Sequence, residues 1–233
     1  MNTTSDTAGR SRRLLLAAGL VAAPALMALG IGFEPAVPAH RVATFEVIAD
    51  QSGRYYLAVL ATIAGVGLLP VVGAAIAALV QRRGRAAATW AAALFGIGGI
   101  AAAAGKGFQI ISWLEAAPRL AGYREAFSHV GDQIPVGAEV FFIVGSVALL
   151  SAAILAAVAL WRSRAVPRWL AVGYGLAWVT GLFFTGDPGP GAALATLPLL
   201  VVSIPIALVL ARGTAPEPAA PQPGSHPAHP AAA

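Results

Sequence analysis

Long uninterrupted apolar stretches dominate the sequence. Each is close to the roughly 20 residues that a helix needs to cross a hydrocarbon core of about 30 Å. Strands are shorter and alternate between apolar and polar residues, and a backbone in lipid must satisfy its own hydrogen bonds. The pattern therefore predicts an all-α fold, a polytopic bundle of six transmembrane helices. The predicted spans are Leu14–Ile31, Tyr56–Val80, Ala86–Phe108, Ala138–Trp161, Trp169–Thr185 and Gly191–Ala211.

The charged residues between these spans predict their orientation. Most of the 15 Lys and Arg residues fall on one side, in short links or beside span ends. They are Arg10, Arg12, Arg13, Arg82, Arg83, Arg85, Arg162, Arg164, Arg168 and Arg212. Acidic residues favour the other side, at Glu34, Glu46, Asp50, Glu115, Glu125, Asp132, Glu139 and Asp187. Basic residues in short loops mark the cytoplasmic side. Both termini are therefore predicted to lie in the cytoplasm, and the spans are predicted to cross the cytoplasmic membrane of a bacterium.

The same analysis divides the chain into three parts. Residues 1–13 form a basic cytoplasmic segment, 14–212 the membrane domain, and 213–233 a Pro- and Ala-rich tail predicted to be disordered. Arg10–Arg13 followed by a leucine run also resembles a signal peptide, with Val37-Pro38-Ala39 as a cleavage site. An uncleaved first span is the preferred interpretation.

Composition excludes several classes of protein. Hydrophobic residues make up 58% and charged residues only 11%, against about 25% charged in a soluble domain. The net charge of +5 is explained by membrane orientation, so no nucleic-acid partner is expected. Cysteine is absent, which excludes disulfides and thiolate-bound metals. No histidine lies in a predicted span, and neither a cofactor nor a metal is expected.

Two long outer loops separate the spans, and each contains an amphipathic stretch. These stretches are His40–Asp50 and Glu115–Val130. Short helices on the membrane surface, or helices that cap the bundle, are the simplest interpretation.

Two places in the spans are candidates for ligand binding. Lys106 is the only charged residue well inside an apolar run, and such residues are functional candidates. Because it lies near the outer boundary, snorkelling or a structural pair with Glu139 is the preferred alternative. The fifth span is the least apolar, and Tyr174 and Trp178 lie on one face of it. A polar cavity at this face is one interpretation, and ordinary helix packing is the other.

Other features are open to two interpretations. Prolines inside spans predict bends in the second and sixth helices. Small residues at Gly99, Ala103 and Gly107 indicate close helix packing within the chain or a homodimer face. Glu115, Glu125, His129 and Asp132 share one outer loop, where they are either solvated or catalytic.

The stretch from residue 140 to 175 combines an aromatic and Gly-containing helix, a basic turn, Pro-Arg and a Gly-containing next span. The residues that carry this pattern are Phe142, Gly145, Arg162, Ser163, Pro167, Arg168 and Gly173. It resembles uncharacterised bacterial six-span membrane proteins of the domain-of-unknown-function kind. The resemblance implies a fold and a location, and it implies no activity.

Three functions remain open on the sequence. The first is a non-enzymatic membrane protein that acts through a protein or lipid partner, because polar residues are scarce along the spans. The second is a small carrier or channel with a cavity near Lys106, Glu139 and the fifth span. The third is a membrane-embedded enzyme that uses outer-loop carboxylates and His129.

Overall fold

A computed structural model describes residues 3–36, 47–114, 135–183 and 190–213, and within them every regular element is a helix. Residues 47–50 add a single helical turn, in which Ile48 is buried. The seven helices are α1 (Thr3–Phe33), α2 (Ser52–Gly67), α3 (Leu69–Leu79), α4 (Arg85–Leu114), α5 (Pro135–Ser163), α6 (Arg168–Phe183) and α7 (Pro190–Arg212).

The second predicted span is divided into α2 and α3 by a break at Leu68. Pro70 is the second residue of α3, where its missing N–H causes no loss because the first turn has no acceptors for it. The backbone carbonyl of Leu68 instead accepts from the N–H groups of Val71 and Val72. The break lies where a bend was expected in the second span. The α7 helix is continuous through Pro198 and Pro205, and the bend expected in it stays a prediction.

The helices form a closed ring in chain order. The α2–α3 pair packs against both α1 and α4, α4 against α5, α5 against α6, α6 against α7, and α7 returns to α1. The α1 residues Leu20 and Ala23 have no exposed surface, so α1 belongs to the core. The guanidinium of Arg13 lies beside Gly213, which places the start of α1 and the end of α7 at one end of the ring.

Large apolar side chains are exposed on the outward faces of the helices. Leu57 is 68% exposed, Ile100 69% and Val201 63%, and each lies on a different helix. Such an apolar surface around a whole bundle is unfavourable in water and suits contact with lipid.

Five helical segments are long and apolar enough to cross a membrane. They are Thr7–Phe33, Ser52–Leu79, Arg85–Phe108, Val140–Ser163 and Gly191–Arg212. The remaining helix, α6, has 16 residues, or about 24 Å of length, which is shorter than a bilayer core. The chain is therefore an all-helical, multi-pass membrane protein with five candidate spans in the described residues.

Candidate functional site

An ion pair joins α4 to the end of α1 at the end of the bundle opposite the arginine-rich links. Lys106 Nζ donates to both carboxylate oxygens of Glu34, at 3.2 and 3.4 Å. The Glu34 side chain is 6% exposed and that of Lys106 18%. Burial strengthens the attraction between the two charges, although taking them out of water offsets much of that gain.

The end of α1 is held so that Glu34 faces the bundle. Gly30 packs directly on the α2 backbone, and a Cβ there would lie 2.7 Å from the carbonyl oxygen of Ala58. Glu34 donates its backbone N–H to the Gly30 carbonyl at 3.0 Å. The Arg54 side chain donates from Nε to the last helical carbonyl, that of Phe33, at 2.8 Å. A cation at a helix C-terminus is favourable because it opposes the negative end of the helix dipole.

The partner of Lys106 in the structure is Glu34. Glu139 belongs to α5, but its side chain lies outside the described part, so the expected contact with Lys106 stays a prediction. The sequence did contain a signal for Glu34. It follows the outer end of the first predicted span by three positions, and Lys106 precedes the end of the third by two, so the predicted topology puts both at one depth.

Tyr174 and Trp178 lie at the centre of the bundle rather than beside Lys106. They are successive-turn neighbours on α6, with ring centroids 6.5 Å apart in an edge-to-face arrangement. The Trp178 ring also meets Phe95 of α4, at 5.1 Å between centroids. All three side chains are at most 2% exposed, so an aromatic cluster of Phe95, Tyr174 and Trp178 fills the interior between α4 and α6.

The aromatic cluster contains polar atoms without a hydrogen bond. Neither the Tyr174 hydroxyl nor the Trp178 Nε1 has a hydrogen-bond partner among the described residues. A buried donor without a partner costs about 1–3 kcal/mol. The sequence analysis did not identify Phe95, because a single Phe among Ala and Gly residues does not indicate which helix it faces.

The predicted ligand-binding residues are thus divided between two places. Lys106 follows Phe95 by 11 positions on α4, which is about 16 Å along a helix. The ion pair therefore lies about that far along the bundle from the aromatic cluster. Chemically, the ion pair offers two mutually neutralised charges, and the cluster offers two weak hydrogen-bond donors in an apolar setting.

The described residues contain no group of three or more His, Asp or Glu side chains that suits a metal ion. The loop residues Glu115, Glu125, His129 and Asp132 lie outside the described ranges. No protein-family model matches the chain, and neither a curated protein nor a solved structure shows detectable similarity to it.

Proposed function

We propose that this protein is a non-enzymatic membrane protein that acts through a lipid or protein partner at its surface. The observation that carries the proposal is the closed interior. Apolar side chains and the aromatic cluster fill the ring of helices, and Lys106 and Glu34 neutralise each other. Among the described buried residues, Glu34 is the one that carries a charge, and Lys106 neutralises it, so this interior offers no unpaired carboxylate or cation for binding a charged substrate.

The proposed topology has six spans, with the arginine-rich end in the cytoplasm and α6 as the short fifth span. Three considerations support it. The α6 helix packs between α5 and α7 as a full member of the ring. Basic residues fill both short links at one end. The buried α1 residues Leu20 and Ala23 favour retention of the first span over its removal as a signal peptide. The resemblance to bacterial six-span proteins agrees with this layout, and a location in the cytoplasmic membrane is part of the proposal.

A small carrier is the second candidate, and one observation favours it. Tyr174 and Trp178 bury polar atoms without hydrogen bonds in the middle of the ring. A polar solute that passes between α4 and α6 would find donors there.

Native mass spectrometry of the protein extracted gently from its own membrane distinguishes the two candidates. A protein or lipid retained at a fixed ratio supports the leading proposal. A non-lipid small molecule that is retained by the wild type and lost from a Trp178→Phe variant would overturn it in favour of a carrier. A Trp90→Phe variant is the matched control, because Trp90 is 66% exposed on the outer face of α4.

A further inference from the structure

A cavity opens at the end of the bundle where the short links lie. Its volume is about 430 Å³, within the range of roughly 300–1,000 Å³ that is usual for small-molecule sites. Four arginines, a tryptophan and a glycine surround this space, which we call the arginine cavity. The lining residues are Arg83, Gly84, Trp161, Arg162, Arg164 and Arg168.

Two separate links supply these arginines, and a glycine holds the links together. Arg83 and Gly84 lie between α3 and α4, whereas the other arginines lie at the end of α5 and the start of α6. Gly84 has a φ of +89°, and a Cβ at this position would lie 2.9 Å from the carbonyl oxygen of Ala159. Only glycine permits both that conformation and that approach. The first link is therefore seated directly against the last turns of α5.

The backbone at Arg164 adopts a left-handed conformation, with φ at +55°. This position directly after a helix is where glycine is preferred, because a Cβ destabilises the conformation. Gly84 and Gly213 are the other described residues with positive φ, so Arg164 alone among the described positions of this kind carries a side chain. The Ser163 hydroxyl braces the turn, donating to the Leu160 carbonyl and accepting from the Ala165 N–H. An arginine at a strained backbone position indicates that its guanidinium has a functional role.

The charge in the arginine cavity is not balanced by the described protein. None of its four arginines forms an ion pair with a described acidic residue. Arg168 instead lies over the Trp161 ring, 5.1 Å from the centroid, in a cation–π contact. Arg168 is also the first residue of α6, so the positive end of that helix dipole adds to the field. The four guanidinium groups and the N-terminus of α6 therefore favour the binding of an anion in the arginine cavity.

We propose that the arginine cavity binds a phosphate group at the membrane surface, carried by an anionic phospholipid headgroup or present as soluble phosphate. Guanidinium groups match phosphate oxygens with paired, charge-assisted hydrogen bonds. Trp161 and Trp169 are 42% and 69% exposed beside the arginines, which is typical of the headgroup level of a membrane. Basic pockets between membrane helices on the cytoplasmic side are suited to anionic headgroups. The inference deepens the proposed function and rests on its orientation, with the arginines facing the cytoplasm.

A lipid titration followed by native mass spectrometry tests the site. Detergent-purified protein is titrated with phosphatidylglycerol and, in parallel, with zwitterionic phosphatidylcholine. We expect a clear preference for phosphatidylglycerol in the wild type. Arg164→Gly should weaken phosphatidylglycerol binding about fivefold, and a further Arg168→Gln about fivefold again. Because glycine suits the backbone at this position, Arg164→Gly removes the guanidinium without weakening the turn.

The matched control is Arg85→Gln, which removes the same charge at the same end of the bundle outside the cavity. It should change phosphatidylglycerol binding less than twofold. A second arm adds millimolar inorganic phosphate. Displacement of the lipid from the wild type identifies soluble phosphate as the occupant, and unchanged lipid binding identifies the headgroup.

Equal binding of the two lipids without any effect of phosphate would overturn the proposed site. Equal losses of phosphatidylglycerol binding in Arg164→Gly and Arg85→Gln would also overturn it. Either result leaves the proposed function intact, because that function is tested separately by what the protein retains on extraction from its own membrane. Conversely, a retained non-lipid solute that depends on Trp178 overturns the proposed function and leaves the lipid titration unchanged.

Discussion

The Glu34 carboxylate lies 3.2 Å from Lys106 Nζ, so one ion pair joins the end of α1 to the C-terminal part of α4. Both side chains are more than four-fifths buried. Removing either partner leaves a charge without compensation, whereas removing both does not. The pair is therefore a point at which single and double substitutions should differ sharply.

We expect Glu34→Gln or Lys106→Met alone to lower the free energy of unfolding by about 3 kcal/mol. The double variant Glu34→Leu, Lys106→Met should recover most of that loss. Denaturation in mixed micelles measures all three variants. The control is Asp50→Asn, an exposed acid of the same end, which should change the free energy by less than about 0.5 kcal/mol. Additive effects of the two single substitutions would contradict a direct pair.

Because the Tyr174 hydroxyl has no partner among the described residues, its removal should not lower the free energy of unfolding. Tyr174→Phe should leave the free energy of unfolding unchanged or raise it by up to about 1 kcal/mol, because a buried polar group without a hydrogen bond is removed. Phe95→Ala in the same aromatic cluster should lower it by about 3–5 kcal/mol, since it leaves a cavity. Thermal unfolding followed by circular dichroism compares the two. A clear loss of stability in Tyr174→Phe would indicate a water or solute bound to the hydroxyl.

The orientation is testable because the sequence contains no cysteine, so single cysteines need no altered background. Gly9 and Gly53 are exposed at opposite ends of the bundle, and a Cβ at either position meets no atom within 4 Å. In intact cells a membrane-impermeant maleimide should label Gly53→Cys. It should label Gly9→Cys only after the membrane is permeabilised. The reverse result would place the arginine-rich end outside.

The same chemistry tests whether α6 crosses the membrane. Thr185 follows α6 in the sequence, and Trp169 is an exposed residue of its first turn. If α6 is a span, Thr185→Cys should react in intact cells and Trp169→Cys should not. Equal protection of both cysteines in intact cells would contradict the proposed six-span topology.

Left-handed backbone positions provide a pair of reciprocal substitutions. Gly84→Ala should lower the free energy of unfolding by more than about 1 kcal/mol, because φ is +89° and Ala159 leaves no room for a Cβ. Arg164→Gly should raise it by roughly 1 kcal/mol for the converse reason. Chemical denaturation of the two variants in the same detergent measures both changes in the free energy of unfolding. Destabilisation by Arg164→Gly would mean that contacts of its side chain outweigh the strained backbone.

The sequence predicts the helical class well because long apolar runs have few alternative structures. The helices α4, α5 and α7 cover the third, fourth and sixth predicted spans to within a few residues. The break at Leu68 was predictable in kind, since Pro70 cannot donate a backbone hydrogen bond. The amphipathic stretches of the outer loops fall mostly outside the described residues, and that prediction stays open.

The contacts between helices were less predictable than the helices themselves. Periodicity indicates which face of a helix is apolar, but in a membrane span nearly every face is apolar, so it does not identify the neighbour. For this reason the sequence did not reveal that Phe95 meets Trp178. The partner of Lys106 was missed for another reason. Glu34 lies at a matching predicted depth, but it was assigned to a loop, and the sequence of a loop does not indicate the direction of its side chains.

The contact between α1 and α7 has a consequence for biogenesis. Among the described helices, α1 comes first in the chain and α7 comes last. The α1 helix therefore lacks its contact with α7 until all the other described helices have been made. Every partly inserted intermediate has an open ring, with a seam of small and apolar residues that a chaperone or quality-control protease could recognise. A nascent chain halted before residue 190 is a natural substrate for such surveillance, whereas a chain in which α7 has been inserted closes its own seam.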